Sequence, residues 1–472
     1  MNGQTEKFIR RKSRHGLLNR EKFCANFNSK KMLKKLFQFS RNKFLALGFL
    51  IETLLLYYTF SNLALPSIFF YMIVYSLVFL LFLFAVQLVK RREEKTISFF
   101  GKEFPLVYVI ILFGLLFRLT LVPSSPTTSD DYYRYLWEGK VLLHGVNPYE
   151  KNPADTSLNY LHGIDLPSKV TFKTMTAIYP PAAQLIFAAS YFISGESPVG
   201  LKLIYLVCEF FTLLFLLKLF RLQKENEHRI IFYAWLPLPI MEFFVNAHLD
   251  AAAVMFFVMF LYFVMKNNVI GSSLSFGLSF LIKLYPVFLL PLLLKKFRFK
   301  KAVLFYSIFL LIVVVFYLPF LPHDRPLTSS IFKYLSHWEF NGSVYQFVNM
   351  FLNNGQTARL ICTACLVVAV AVISFSFKNF LYGVYAVLLA MIIFTPTFYP
   401  WYMGWIAAIN PLVQFTSALS LFFTTNFTNV TPMGKVWQEY TWVLLLEYIP
   451  FFMLLGYDLY RLKFKKYNSE RK

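Results

Sequence analysis

Apolar residues along this chain gather in long blocks almost free of charge, and about 20 such residues let a helix cross roughly 30 Å of hydrocarbon. Blocks of this kind run from 44 to 62, 66 to 89, 104 to 123, 199 to 220, 230 to 246, 250 to 266, 302 to 321, 358 to 377, 380 to 397 and 440 to 460. Each predicts a membrane-crossing helix. Three other apolar stretches do not fit a single crossing. The run from Pro181 to Ser194 is too short to span and reads as a helix lying at the interface. The run from Ile270 to Leu294 reads as two short segments folded back near Lys283, Tyr285 and Pro286, because proline breaks the helical ladder. By the same logic 398 to 424 reads as a second pair, broken at Asn410 and Pro411. The pattern predicts an all-α polytopic membrane protein of about 12 to 14 segments. Neither a short repeat nor a pair of inverted halves is visible.

Composition supports the pattern. With 57% hydrophobic and only 15% charged residues in 472, a soluble chain would expose large apolar patches, which excludes a cytosolic enzyme, a disordered chain and a disulfide-stapled secreted module. The net charge of +23 would suggest nucleic acid, but its placement decides otherwise. Residues 1 to 43 hold 13 Lys/Arg against two Glu, and blocks at Lys90 to Glu103, Lys295 to Lys301 and Leu459 to Lys472 supply the remainder. Each abuts an apolar run, so the positive-inside rule makes them cytoplasmic anchors beside anionic lipid, and nucleic acid is not an expected partner. The basic start has no small-residue cleavage site after a short apolar core and reads as a retained tail. The division expected is a basic cytoplasmic tail over 1–43, a membrane domain over 44–460 and a basic cytoplasmic tail over 461–472. With the start inside, three crossings place the polar segment from Ser124 to Pro180 outside, within a long first extracytoplasmic loop over 124–198 that carries interfacial helices. Of the four cysteines, Cys24, Cys208, Cys362 and Cys365, the last two form a C-x-x-C pair inside an apolar helix and read as two buried small residues.

Scarce polar groups collect where that topology puts the outer face. The densest stretch is Ser129-Asp130-Asp131-Tyr132-Tyr133-Arg134-Tyr135-Leu136-Trp137-Glu138-Gly139. If it is helical from Asp131, then Asp131, Arg134 and Glu138 share one face. A carboxylate held there beside an arginine suits the acceptance of a proton from a hydroxyl nucleophile. Asp130 and Asp131 would equally serve the helix N-terminus, where unpaired N–H groups favour aspartate; the two roles are compatible and both stay open. At the outer ends of other runs stand Tyr179, His248, Asp250, Lys283, His323-Asp324-Arg325, Trp338, Asn341, Tyr399, Trp401 and Tyr402. Taken singly, Trp401 and Tyr402 read as interface aromatics, His248 as a turn residue and Lys283 as a snorkelling lysine. Together on one face they point to a site, and Asp250 and Lys283 stand in or beside apolar runs where charge is costly.

These residues resemble those of the GT-C superfamily of membrane glycosyltransferases, and most closely the polyprenol-phosphate-mannose-dependent mannosyltransferases. The stretch from Asp131 to Tyr149, D-x-Y-R-Y-L-W-E-G followed by G-V-N-P-Y, is similar to the first extracytoplasmic loop of that family. Further along, Tyr179-Pro180-Pro181 resembles its Y-P-P motif, Asn246 to Asp250 its turn of the form G/N-x-H-x-D, and Ile282 to Pro286 its L-x-K-x-x-P break. Trp338 to Asn341 is similar to a W-x-F-N element and Pro400-Trp401-Tyr402 to a late P-W-Y. The order holds from about 104 to 410.

The resemblance implies a GT-C type fold and a sugar, mannose foremost, moved from a polyprenyl-phosphate donor to a glycan or glycolipid of the cell envelope. It implies Asp131 as general base, with Asp130 the neighbouring candidate, and an inverting single displacement. For the donor phosphate and sugar it nominates Arg134, Glu138, Tyr179, His248, Asp250, Lys283, Arg325, Trp338, Asn341, Tyr399, Trp401 and Tyr402. Many relatives have His where Tyr399 stands, and the adjacent aspartates are not a spaced D-x-D, so a divalent metal is left open and no other cofactor is expected. The expected partners are membrane lipid, the lipid-linked donor and the acceptor; the expected place is a bacterial cytoplasmic membrane with both termini inside. A lipid-linked glycan transporter or flippase is the competing reading, in which the same charges would line a path near mid-bilayer and repeats would be usual.

Overall fold

The computed structural model describes residues 43–91, 95–99, 101–322, 329–433 and 437–470. The basic segment 1–42, with Cys24, and the stretch that includes Arg325 lie outside the described residues. The chain opens with the helices α1 (Lys43–Ala64) and α2 (Ile68–Arg91), a two-stranded antiparallel hairpin of β1 (Thr96–Phe99) and β2 (Lys102–Pro105), and α3 (Leu106–Leu121). The first polar loop then carries α4 (Asp131–Leu143) and α5 (Pro181–Ser194). Next come α6 (Val199–Gln223), α7 (Ile231–Ala234), α8 (Pro237–Phe244), α9 (Asp250–Met265), α10 (Val269–Ile282), α11 (Leu290–Lys296) and α12 (Phe299–Tyr317). The last part is α13 (Ser329–His337), α14 (Ser343–Leu352), α15 (Gly355–Ser376), α16 (Phe380–Phe394), α17 (Met403–Val413), α18 (Thr416–Thr424) and α19 (Thr441–Glu470). Among the described residues, six helices are long and apolar enough to cross a membrane: α1, α2, α6, α12 extended to Phe320, α15, and α19 through Lys463. They mark an integral membrane protein.

The centre of the bundle is α9. Its first turn, Ala251, Ala252, Ala253 and Val254, is buried all round, and further on Phe257, Phe260 and Leu261 face the core while Met255, Met259 and Tyr262 form a partly buried stripe. It packs against α6, α10 and α17, and α10 in turn packs against α12. Because α9 and α10 run antiparallel, the start of the first and the end of the second lie at the same end of the bundle. That end holds the polar residues.

The first polar loop joins the bundle through α4 and α5, which meet at a glycine. A Cβ on Gly139 would stand 2.2 Å from the Phe187 carbonyl oxygen, so the two backbones touch. Gly139→Val is therefore expected to cost about 1–3 kcal/mol by overpacking, read as a lower midpoint of thermal unfolding in detergent. An unchanged midpoint would contradict the close approach.

Four sequence expectations are corrected. The block from 230 to 246 is not one continuous helix: Pro237 forces Leu236 into an extended conformation (φ −64°, ψ 124°) and separates α7 from α8. The break within 398 to 424 falls at Gln414 and Phe415, three residues past Pro411. Pro411 is tolerated near the end of α17, and the Asn410 carbonyl side chain accepts the Phe415 N–H at 3.0 Å, closing the turn. The segment after Lys90 includes a short strand pair in an otherwise helical chain, so the architecture is not purely α. Cys362 is buried as expected, but Cys365 is exposed on α15.

Candidate active site

Asp131 opens α4 at the rim of a cleft, with about 35% of its side chain accessible. Asp130 occupies the N-cap position and makes no capping hydrogen bond with its side chain. Tyr135, one turn on, directs its hydroxyl at Asp131 Oδ2 (3.5 Å) and lies 3.2 Å from the hydroxyl of Tyr179, whose carbonyl in turn accepts from Tyr149 at 2.5 Å. Burial in the surrounding protein and the adjacent Asp130 charge push the Asp131 carboxyl up to about 6, with Lys283 and Arg134 pulling the other way. A base must be ionised to act. A reaction that used Asp131 as its base is thus expected to be level above pH 6 and to fall about tenfold per unit below it, checked by a pH profile of kcat/KM. A profile flat down to pH 4.5 would contradict this.

Beneath Asp131 the remaining charges of α4 are bound into the scaffold. Arg134 donates to the carbonyls of Thr171 (2.7 Å), Phe172 (2.8 Å) and Met175 (3.2 Å) and pairs with Glu138 at 3.3 Å. Glu138 also accepts from Gln184 on α5 at 2.7 Å, and burial raises its carboxyl above the usual range. Arg134 and Glu138 therefore hold the loop at 171–175 and α5 against α4.

Opposite Asp131 lies an ion pair. Lys283 ends α10 in an extended conformation, and Pro286 just beyond it blocks further helix. Its Nζ donates to Asp250 Oδ2 at 2.5 Å, and Trp405 Nε1 donates to the other oxygen at 3.0 Å. Asp250 is the first residue of α9, where the helix dipole favours a negative charge. The ammonium also lies over the rings of Tyr402 (4.7 Å) and Tyr285 (5.3 Å), and its charge reaches Asp131. Among the described residues its one hydrogen bond is to the carboxylate, which leaves two N–H groups to meet an anion.

Aromatic rings close the cleft. His248, set by the left-handed Ala247 (φ 59°), stacks on Trp401 at 3.6 Å. Trp401 stacks on Tyr399 at 4.4 Å, and Tyr399 on Phe340 at 4.6 Å. Trp338 donates its indole N–H to Tyr399 at 3.0 Å and stacks on Tyr334, whose hydroxyl lies 3.4 Å from that of Tyr402. Asn341 is directed elsewhere: it is buried and donates to Glu447 on α19 at 2.8 Å, while its backbone N–H donates to Glu439. Asp131, Tyr179, His248, Asp250, Lys283, Trp338, Tyr399, Trp401 and Tyr402 are thus brought together, and Arg134, Glu138 and Asn341 support them from behind. Tyr135, Tyr334 and Trp405 join the site without having stood out in the sequence, since tyrosines and tryptophans are common throughout this chain. Among the described residues, no three His, Cys, Asp or Glu gather as a metal-holding group.

Among known families, the model of the alpha-(1->6)-mannopyranosyltransferase N-terminal domain matches residues 51–296, just over half of the chain and the part that carries Asp131, His248, Asp250 and Lys283. No curated protein matches the chain.

Proposed function

Because the chain belongs to the alpha-(1->6)-mannopyranosyltransferase family, we propose that it transfers mannose from a polyprenyl-phosphate donor to a mannose-bearing glycan or glycolipid at the extracytoplasmic face of the membrane. The observation that carries this is a partly accessible carboxylate, Asp131, facing the charge of Lys283 in one aromatic-walled cleft at the end of the bundle.

In this reaction Asp131 takes the proton of the acceptor hydroxyl. The hydroxyl oxygen forms a bond to the anomeric carbon as the bond from that carbon to the phosphate oxygen breaks, and the electron pair leaves with the lipid phosphate. Lys283 meets the developing charge with its free N–H groups, in a setting where a fixed cation is worth far more than in water. Tyr285 and Tyr402, which hold Lys283, also line a small apolar cavity with Leu388, Met391 and Ile392. Asp250, bound on both oxygens by Lys283 and Trp405, is not free to act as a nucleophile, which supports a single displacement.

A single displacement inverts the anomeric centre, so an α linkage requires a β-linked donor. The test is to offer purified protein the α- and β-anomers of mannosyl polyprenyl phosphate in turn. Consumption of the β-anomer alone is expected. Consumption of the α-anomer would mean a retaining reaction and overturn this mechanism.

A further inference from the structure

Glu242, on α8, is a fully enclosed carboxylate that the mechanism above does not use. Its Oε1 accepts from the Tyr71 hydroxyl at 2.8 Å and its Oε2 from Asn246 Nδ2 at 3.1 Å. The Asn246 carbonyl oxygen accepts from the backbone N–H groups of Thr127 and Thr128, at 3.2 and 3.1 Å, so the same network holds the segment that leads into Asp131. Beside it stands His248, completely buried, with neither ring nitrogen hydrogen-bonded. Nε2 lies 3.6 Å from Glu242 Oε2, and Nδ1 lies 3.9 Å from Asp131 Oδ2.

Those gaps are informative. A bridging water would hold two atoms about 5 Å apart, so none fits, while both gaps exceed a hydrogen bond by less than about 1 Å. Trp401 covers the ring face and leaves in-plane movement free. A small slide of the imidazole toward Glu242 closes the first gap, and a rotation of the Asp131 side chain, the accessible partner at the rim, closes the second; catalytic contacts often tighten in this way only when substrate binds.

We infer that Asp131, His248 and Glu242 form one proton-handling line, in which Glu242 is a positioning residue that fixes the tautomer of His248 so that its Nδ1 can take the acceptor's proton on from Asp131. With Nε2–H donated to Glu242, the lone pair on Nδ1 faces Asp131. The proton leaves the acceptor oxygen for Asp131 and passes to Nδ1, giving a short-lived imidazolium that burial and Lys283 disfavour and the Glu242 carboxylate offsets, and restoring the Asp131 carboxylate; it returns through Asp131 to water at the open rim when product departs. This deepens the reading of Asp131 as general base and rests on it. Charged and titratable groups face each member of the line: Lys283, after α10, acts on His248; Lys283, Asp130, Arg134 and Tyr135 on Asp131; and Asp250 on α9 with Tyr71 and Tyr75 on α2 and Tyr58 on α1 on Glu242.

Three coupled groups titrate as a unit, so the acid limb of the kcat/KM profile belongs to the line. Glu242→Gln removes one proton acceptor and is expected to move that limb to lower pH by about half a unit or more, with kcat down about tenfold or more and KM little changed. Tyr71→Phe strips a hydrogen bond from the carboxylate, raises its proton affinity and moves the limb the other way, which also covers the case in which Glu242→Gln fails to fold. A purely structural role would lower the folded fraction and leave both limbs in place. Limbs unmoved in the folded variants, with Asp131→Asn inactive, would overturn the line while leaving Asp131 as base; an active Asp131→Asn would remove the reading on which the line rests.

Discussion

Asp131→Asn is expected to fold as the native chain does and to transfer mannose about 10²–10⁴-fold more slowly, the range that a positioned general base supplies. Asparagine keeps the shape of the side chain and loses the ability to take a proton. Little structure depends on the carboxylate: its neighbours are Tyr135 at 3.5 Å and His248 at 3.9 Å, neither a strong contact. Its raised proton affinity shows that the fold disfavours the charge, so a neutral amide relieves rather than adds strain. The outcome also separates the two roles that the sequence left open. Were Asp131 serving only the start of α4, the variant would lose up to about 1 kcal/mol of stability and keep its rate.

The second large effect is at Lys283. Lys283→Met keeps most of the side chain's length and deletes the charge, and two losses follow. Asp250 is left buried without its cation, which costs about 3–5 kcal/mol. The leaving phosphate loses its electrostatic partner, which lowers kcat by about 10²–10³-fold, as loss of a fixed donor does elsewhere. A double variant separates the two. Lys283→Met with Asp250→Asn removes both buried charges, so the thermal midpoint is expected to recover while the rate does not. Recovery of the rate along with the midpoint would show that Lys283 acts only by holding Asp250.

Much of this site could be seen in the sequence, for a physical reason. In an apolar run each ionisable residue is expensive to place, so Asp250 and Lys283 stand out against their surroundings, the break at Lys283 is announced by Pro286, and Asp131 is marked instead by the dense polar and aromatic stretch around it. The same rule applied to Glu242, a lone acid within an apolar run, would have found it. What the sequence could not convey is which polar groups satisfy one another. Arg134 and Asp131 share a helix, yet Arg134 spends its donors on three carbonyls from a loop some forty residues on, and Asn341 reaches α19. Those partners are set by tertiary packing. Pro411 misled for the opposite reason: a proline near a helix end costs little, and the chain turned where Gln414 adopts a left-handed conformation instead.

The most direct measurement is donor use by the purified protein in lipid nanodiscs, offered labelled mannose on polyprenyl phosphate or on a nucleotide together with mannose-bearing acceptors. The expected result is a new mannosidic linkage and free polyprenyl phosphate in equal amounts, from the lipid-linked donor only. If the lipid-linked donor stays intact while the nucleotide-linked sugar is consumed, or crosses a vesicle membrane unreacted, the assignment of a lipid-phosphate mannosyltransferase is contradicted.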